Sequence, residues 1–442
     1  MEHLKIVIVG GGIGGLSAAL ALAAAGHEIT LFESAASFEN VGAGIRVSPN
    51  TSKLLLSWGV DLGSIKKEVS RGNRFVDWQG HVLLDVPLTG VQDLYGGPYY
   101  FIHRADLVAS LVRAAKQRDN ITIHMGCRVQ SYDFDAPAVT LTGGETARAD
   151  LVIAADGIKS SVRDVINGRP LPPQDTGDVA YRILVPAKPL LDDTQMAYLV
   201  KEPWAVHWMG AEAHAVGYPL RGGELYNIII DVTHSSDLGE PLPEDEQIWK
   251  SARDNRELVA RFAHWCPEVR KLCSMAGEYL KWKLADFDQL DTWVHRGGKV
   301  VLLGDACHPM MPYMAQGAAQ STEDAATLAA ALKKYDSLHR ALQAYEAQRK
   351  PRAAYIARNT RVLQDWLHLE DGPARDARDD MMRHDDENNP IFWGYNARKS
   401  WLFGHDASQI PQQREAIPSL PPEPPKAASV YASKRHSTTS RM

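Results

Sequence analysis

Residues 4–9, LKIVIV, form a β-branched run that ends in glycine, and GGLSAALALAAAGH follows as a small-residue helix stopped near Gly26. EITLFE then predicts a second buried strand. Continuous apolar strands around a helix are the mark of a parallel layer covered on both faces. HRADLVASLVRAAKQ (103–117) carries apolar positions at helical spacing, and ITIHMG and RADLVIAADG read as later strands of that layer. From about 176 to 232 the texture changes. DVAYRILVP, WAVHWMG, AHAVGYPL and ELYNIIIDV alternate with a period of two and are rich in aromatics, which predicts an antiparallel sheet with one covered face. DEQIWKSARDNRELVARFAHW predicts a return to helix, and KVVLLGD another buried strand leading into an Ala-rich helix.

At 442 residues the chain exceeds one ordinary core, so two or three domains are expected. The pattern divides it into a dinucleotide-type α/β domain over 1–175 and a mixed or antiparallel β-sheet substrate domain over 176–280. The first domain resumes over 281–365, a helical C-terminal region covers 366–420, and a tail follows over 421–442. That tail is rich in Pro, Ser and Lys and has little to bury, a composition that favours disorder.

Composition narrows the function classes. A hydrophobic fraction of 45% and a charged fraction of 23% suit a globular protein, and a net charge of -6 argues against a nucleic-acid binder. Cys127, Cys266, Cys273 and Cys307 are scattered without a CxxC pair, which points to free thiols in a reducing compartment and to no metal site. The apolar N-terminus resembles a signal or a membrane span. Five glycines within residues 10–15 and the acidic Glu2 argue against both. No membrane association is therefore expected.

Gly10, Gly12 and Gly15 give G-x-G-x-x-G directly between strand and helix. The first permits a tight turn, the second lets a pyrophosphate approach the backbone, and the third allows close helix–strand packing. Free N–H groups at the helix start favour phosphate. Glu33 ends the second strand, where a carboxylate can hold a ribose hydroxyl pair. Only one such fingerprint is present. VIAADGIKSSVRD (152–164) places Asp156 after a strand, and GDACHPMMPYMAQG (304–317) places Asp305 at another strand end.

In this order the three motifs resemble those of the single-component (group A) FAD-dependent aromatic monooxygenases. GAGIRVSPN (42–50) and HRADL (103–107) are also similar to stretches of that family, and the likeness spans roughly residues 4 to 365. LHLEDGPARDARD and NPIFWGYNARKSWLFGHDAS extend it to about 408, toward the fungal salicylate hydroxylase-like subgroup. The resemblance implies a Rossmann-like FAD-binding domain of the glutathione-reductase type. It implies that Asp305 contacts the ribityl chain, that Gly44, Arg104 and Asp156 help seat FAD, and that Gly317 starts a helix facing the flavin. Pro309 and Pro312 would hold the intervening backbone rigid, with Pro312 bordering the substrate cavity. It implies NADH or NADPH as a transient co-substrate, O2 as oxidant, and a flavin C4a-hydroperoxide that attacks an electron-rich ring.

A phenol becomes reactive when its hydroxyl loses a proton, so a base within hydrogen-bond reach is expected. His214 and Tyr218 lie four apart on one strand and share a face; the pair resembles the His/Tyr pair of related hydroxylases. His214 is the candidate base, Tyr218 its hydroxyl partner, and Arg182 the candidate holder of a carboxylate or phenolate. His207 and His308 are rival bases. Arg46 departs from the subgroup, which has an uncharged polar residue there, and a cation so placed would alter substrate choice. The expected function is hydroxylation of a salicylate-like hydroxybenzoate, with or without loss of its carboxylate, by a monomer or homodimer. A larger fungal polyketide phenol dearomatised by the same chemistry is the alternative, and a non-catalytic FAD-binding redox sensor is the rival of another class. WAVHWMG lacks the WxWxIP pattern of flavin halogenases. A cytoplasmic location is expected, or a peroxisomal one if Ser440-Arg441-Met442 acts as a variant of the SKL signal.

Overall fold

The computed structural model describes residues 3–38, 42–233, 249–411 and 415–425. Ser440-Arg441-Met442 and most of the expected tail lie outside these described residues. Two sheets organise the chain. The first has five parallel strands in the order Val300–Leu302, Leu151–Ala154, Lys5–Val9, Glu28–Phe32 and Ile121–His124. Its central strand has its chain successor on one side and a strand nearly 150 residues later on the other. Such a reversal of strand order opens a crevice at the carboxyl ends of the strands, where α/β sheets bind ligands. Gly10 and Asp156 both stand at that edge, following Val9 and Ala154.

The second sheet has eight strands, ordered Trp249–Ala252, Tyr279–Asp286, Gln174–Pro186, Leu225–Thr233, Ala213–Leu220, Trp204–Gly210, Gly72–Asp77 and Val82–Pro87. Only the junction of Trp204–Gly210 with Gly72–Asp77 is parallel. This corrects the sequence reading in three ways. The hairpin at 72–87 gave no signal of belonging to this sheet. The helix expected from 245 begins only at Arg256–Arg261, and Trp249–Ala252 is instead an edge strand paired with Tyr279–Asp286. The sheet is also covered on both faces, not one. Every residue of Ala213–Leu220 is buried: Ala213 and Ala215 join the core under the helix Pro267–Met275, while Val216, Tyr218 and Leu220 join the core toward the C-terminal helices. The C-terminal region thus supplies a lid that no period-two pattern reveals.

The helix Gly317–Lys334 packs along Ile13–Ala24 and against the long helix Leu338–Leu367. It carries buried Glu323 and Asp324, each held by guanidinium groups. Arg349 donates to Glu323 at 2.6 Å and to Asp324 at 2.8 Å, and Arg352 donates to Glu323 at 2.7 Å. Asp324 also accepts the Gly304 N–H at 3.0 Å and meets His308 at 2.5 Å. The acidic pair therefore ties the loop after Val300–Leu302 to the two helices beneath it. Among the described residues no helix is long and apolar enough to cross a membrane.

Candidate active site

One cavity of about 720 Å³ begins at the glycine-rich turn and ends under the eight-stranded sheet. Gly10, Gly12, Glu33, Gly44, Arg104, Asp156, Arg182, His214, Tyr218, Asp305, Pro312 and Gly317 all line it. The sequence thus names residues from both sheets that folding brings to one space. Gly15 does not line it. Its place is structural, since a Cβ there would sit 1.9 Å from the Gly10 carbonyl oxygen. Gly10 takes φ +105°, and a Cβ on it would meet the Ala155 oxygen at 2.3 Å. Around a Cβ on Gly12, by contrast, there is open space.

At the turn, the helix Ile13–Ala24 starts on Gly12 with no side-chain cap and no acidic residue in its first turn. Its first N–H groups face the cavity as an anion site. Glu33 is fixed by the Gly11 N–H at 2.6 Å and the Ala35 N–H at 2.7 Å. Asp156 keeps one buried oxygen without a partner, and burial raises its carboxyl. Asp305 is open to the cavity yet surrounded by protein; burial raises its carboxyl while His308 and Arg104 pull it down. Between Asp305 and Gly317 the backbone makes a 3-10 turn at Pro312–Met314, and Ala315 adopts a left-handed φ of 50°. A non-glycine residue there stores strain, and such strain gathers at functional sites.

At the sheet end the side chains form a buried polar cluster. His214 and Asp231 are directly opposite on neighbouring strands, with His214 Nε2 3.4 Å from the Asp231 carboxylate. His214 Nδ1 lies 2.7 Å from His368 Nε2, and His368 Nδ1 lies 2.9 Å from the Thr233 hydroxyl. Burial, then His368, His207 and Arg46, hold His214 well below the ordinary imidazole value, and burial takes His368 down to about 3. Burial and then Asp178 push the Asp231 carboxyl up to about 8, against the pull of Arg182. Asp178, raised to about 7 mainly by burial, accepts the Tyr313 hydroxyl at 2.7 Å and a hydrogen bond from Gln364. Arg182 stacks over Trp282 at 4.9 Å, and its Nε is buried without a partner. Tyr218 presses on Gly44, where a Cβ would come within 2.5 Å of the ring.

Of the rival bases, His207 lines the cavity but His308 does not. His308 belongs to the Asp324 network beneath the loop. Sequence reasoning missed Asp231, although an acid inside the apolar run NIIIDV was a legible oddity. It also missed His368, which follows a 30-residue helix and meets His214 only through the tertiary fold.

A family model described as an FAD binding domain matches residues 3–360, most of the chain. The chain belongs to the FAD-binding domain family. Among its relatives, FAD-dependent monooxygenase OpS4 of Beauveria bassiana (strain ARSEF 2860) is 35% identical over 425 residues, 92% of this chain and 96% of that protein. The 3-amino-4-hydroxybenzoate 2-monooxygenase of Streptomyces cremeus is 35% identical over 94% of this chain and 99% of its own length. A solved salicylate hydroxylase substrate complex superimposes with a TM-score of 0.76 at 26% identity, over 92% of this chain and 98% of that one. The expected α/β architecture is thereby shown, and FAD is the cofactor. The cavity fits it: uncapped helix amides and an open Gly12 suit a pyrophosphate, Glu33 stands where a ribose would lie, and the unpartnered Asp156 oxygen awaits a donor.

Proposed function

We propose that the chain is an FAD-dependent monooxygenase that hydroxylates a phenolic aromatic acid of the hydroxybenzoate type, with NADH or NADPH as transient reductant. The observation that carries this reading is the continuity of one cavity from the FAD turn to a buried cluster of His214, Asp231, Arg182 and Tyr218. Support comes from the relatives, among them the 3-amino-4-hydroxybenzoate 2-monooxygenase and the 3-hydroxybenzoate 6-hydroxylase of Polaromonas naphthalenivorans (strain CJ2), 32% identical over 91% of this chain. A redox sensor would have no use for such a cluster.

FAD, when bound and reduced by the nicotinamide, would supply the oxygen activation. The chain does the rest. Gly10, Gly12, Glu33, Gly44, Arg104, Asp156, Asp305 and Gly317 hold the cofactor, and Pro312 borders the substrate. Asp231 Oδ1, buried without a hydrogen-bond partner, takes the phenol proton, and His214 backs the same carboxylate from 3.4 Å as the other half of a coupled pair. An acid shifted to about 8 is matched to proton transfer near neutral pH. His368 and Thr233 fix the imidazole plane from behind. Tyr218 and Arg182 receive the oxygen as it gains charge. Burial of the cluster keeps water from the reacting ring.

The test is oxygen-dependent NAD(P)H oxidation by FAD-loaded protein with and without salicylate, with the product identified by mass. Stimulation with a hydroxylated product is expected. A flavoprotein whose NAD(P)H oxidation ignores every hydroxybenzoate and phenol offered would end this reading.

A further inference from the structure

Arg46 is a buried cation whose hydrogen-bond partners are all neutral. It lines the cavity from the short strand Gly44–Val47 with only 6% of its surface exposed. Its Nη1 donates to Asn73 Oδ1 at 2.9 Å and lies 3.3 Å from His207 Nε2. Its guanidinium sits 5.7 Å from the centre of the Trp393 ring. Every one of these neighbours is neutral, because burial and Arg46 itself hold His207 well below the ordinary imidazole range. Among the described residues no carboxylate forms an ion pair with Arg46. Two other buried arginines, Arg349 and Arg352, are both paired directly with acids. A guanidinium enclosed in protein with no anion is costly, and Arg46 lines a cavity that an anion can enter.

Arg182 differs, because Asp231 stands near enough to act on its charge. Tyr218 lies in the field of both arginines. Two arginines of the cavity lining thus act on one hydroxyl, and of these two Arg182 has an acid near it while Arg46 forms no ion pair among the described residues.

We infer that Arg46 is the specificity-determining residue for an anionic substrate. It takes the substrate carboxylate, held in place by Asn73, His207 and the Trp393 face, while Arg182 and Tyr218 take the phenolic oxygen. The inference rests on the aromatic hydroxylase reading and narrows its substrate to aromatic acids over neutral phenols of the same shape. It gives the C-terminal segment a role in recognition, since Trp393 backs the guanidinium.

The test uses FAD-loaded wild type, Arg46→Gln and Arg182→Gln with 2-, 3- and 4-hydroxybenzoate and the matching hydroxybenzamides. Dissociation constants are read from the flavin absorbance change, and Tm is read without ligand. Wild type prefers the acid of at least one pair. Arg46→Gln weakens that acid roughly 10- to 100-fold, the scale of a hydrogen bond to a charged group, and leaves the amide within about threefold. Its ligand-free Tm equals or exceeds that of wild type, because an unpaired buried charge has gone. Unchanged acid affinity in Arg46→Gln, with or without a lowered Tm, overturns the inference, as does loss of FAD with acid affinity intact in the remaining holoenzyme. A wild type that prefers the amides also overturns it but leaves the hydroxylase reading standing. Only a wild type whose NAD(P)H oxidation answers to neither acids nor amides, nor to simple phenols, removes both.

Discussion

Two glycines of one motif separate folding from binding at the residue scale. A Cβ on Gly15 would lie 1.9 Å from a backbone oxygen, whereas one on Gly12 meets nothing but the cavity. Gly15→Ala is therefore expected to lose soluble, folded protein, because the turn and helix must move apart. Gly12→Ala should fold with an unchanged Tm in apo form and lose FAD at least tenfold, as titration of apoprotein would show. In the base pair, His214→Ala should slow hydroxylation about 10²- to 10⁴-fold, the usual contribution of a general base, while FAD stays bound. Asp231→Asn should do the same if the two act as a unit. Turnover that survives both substitutions would remove them as the base.

Elements decide how far sequence could see this site. The helix Gly317–Lys334 was legible as a helix, but its buried Glu323 and Asp324 were not legible as an anchor, since their partners come from other segments, among them the loop at Gly304 and the helix Leu338–Leu367. Arg349→Met should destabilise by about 3–5 kcal/mol in urea unfolding, the cost of breaking a buried ion pair on one side. A near-neutral result would mean that Arg352 and His308 satisfy both acids alone. The parallel strands and the glycine turn were readable because their signals are local: a β-branched run, a fixed spacing, an acid at a strand end. His214 and Tyr218 were readable because alternation alone puts them on one face. The hairpin at 72–87, the strand at 249–252 and His368 were not, because their places depend on pairing across long stretches of chain. Alternation also mispredicted an open face, because it cannot register a C-terminal layer folded over it.

Over the whole molecule, the buried titratable groups oppose one another with pH. His214 and His368 sit below their unfolded value of about 6.5, His368 at about 3. The unfolded chain binds their protons first, so their contribution is present above about 6.5 and is lost as pH falls toward 3. Asp178 and Asp231 sit above their unfolded value of about 3.9, at about 7 and about 8. Here the native state holds the protons longer, so the contribution is full below about 4 and is lost as pH rises through 7 and 8. Between about 4 and 6.5 the two pairs oppose one another, which predicts a shallow interval. Above it only the carboxyls act, and stability should fall by on the order of 2–3 kcal/mol between pH 6.5 and 8. Urea midpoints across that range measure it, and the double variant Asp178→Asn, Asp231→Asn should stay flat from about pH 6.5 to 8 while losing stability as pH falls below about 6.5. A wild type that stays flat to pH 8 would mean that the carboxyls ionise in place without cost. Activity should run the other way. A base shifted to about 8 gains its working form as stability declines, so kcat/KM should climb across the same interval in which the fold weakens.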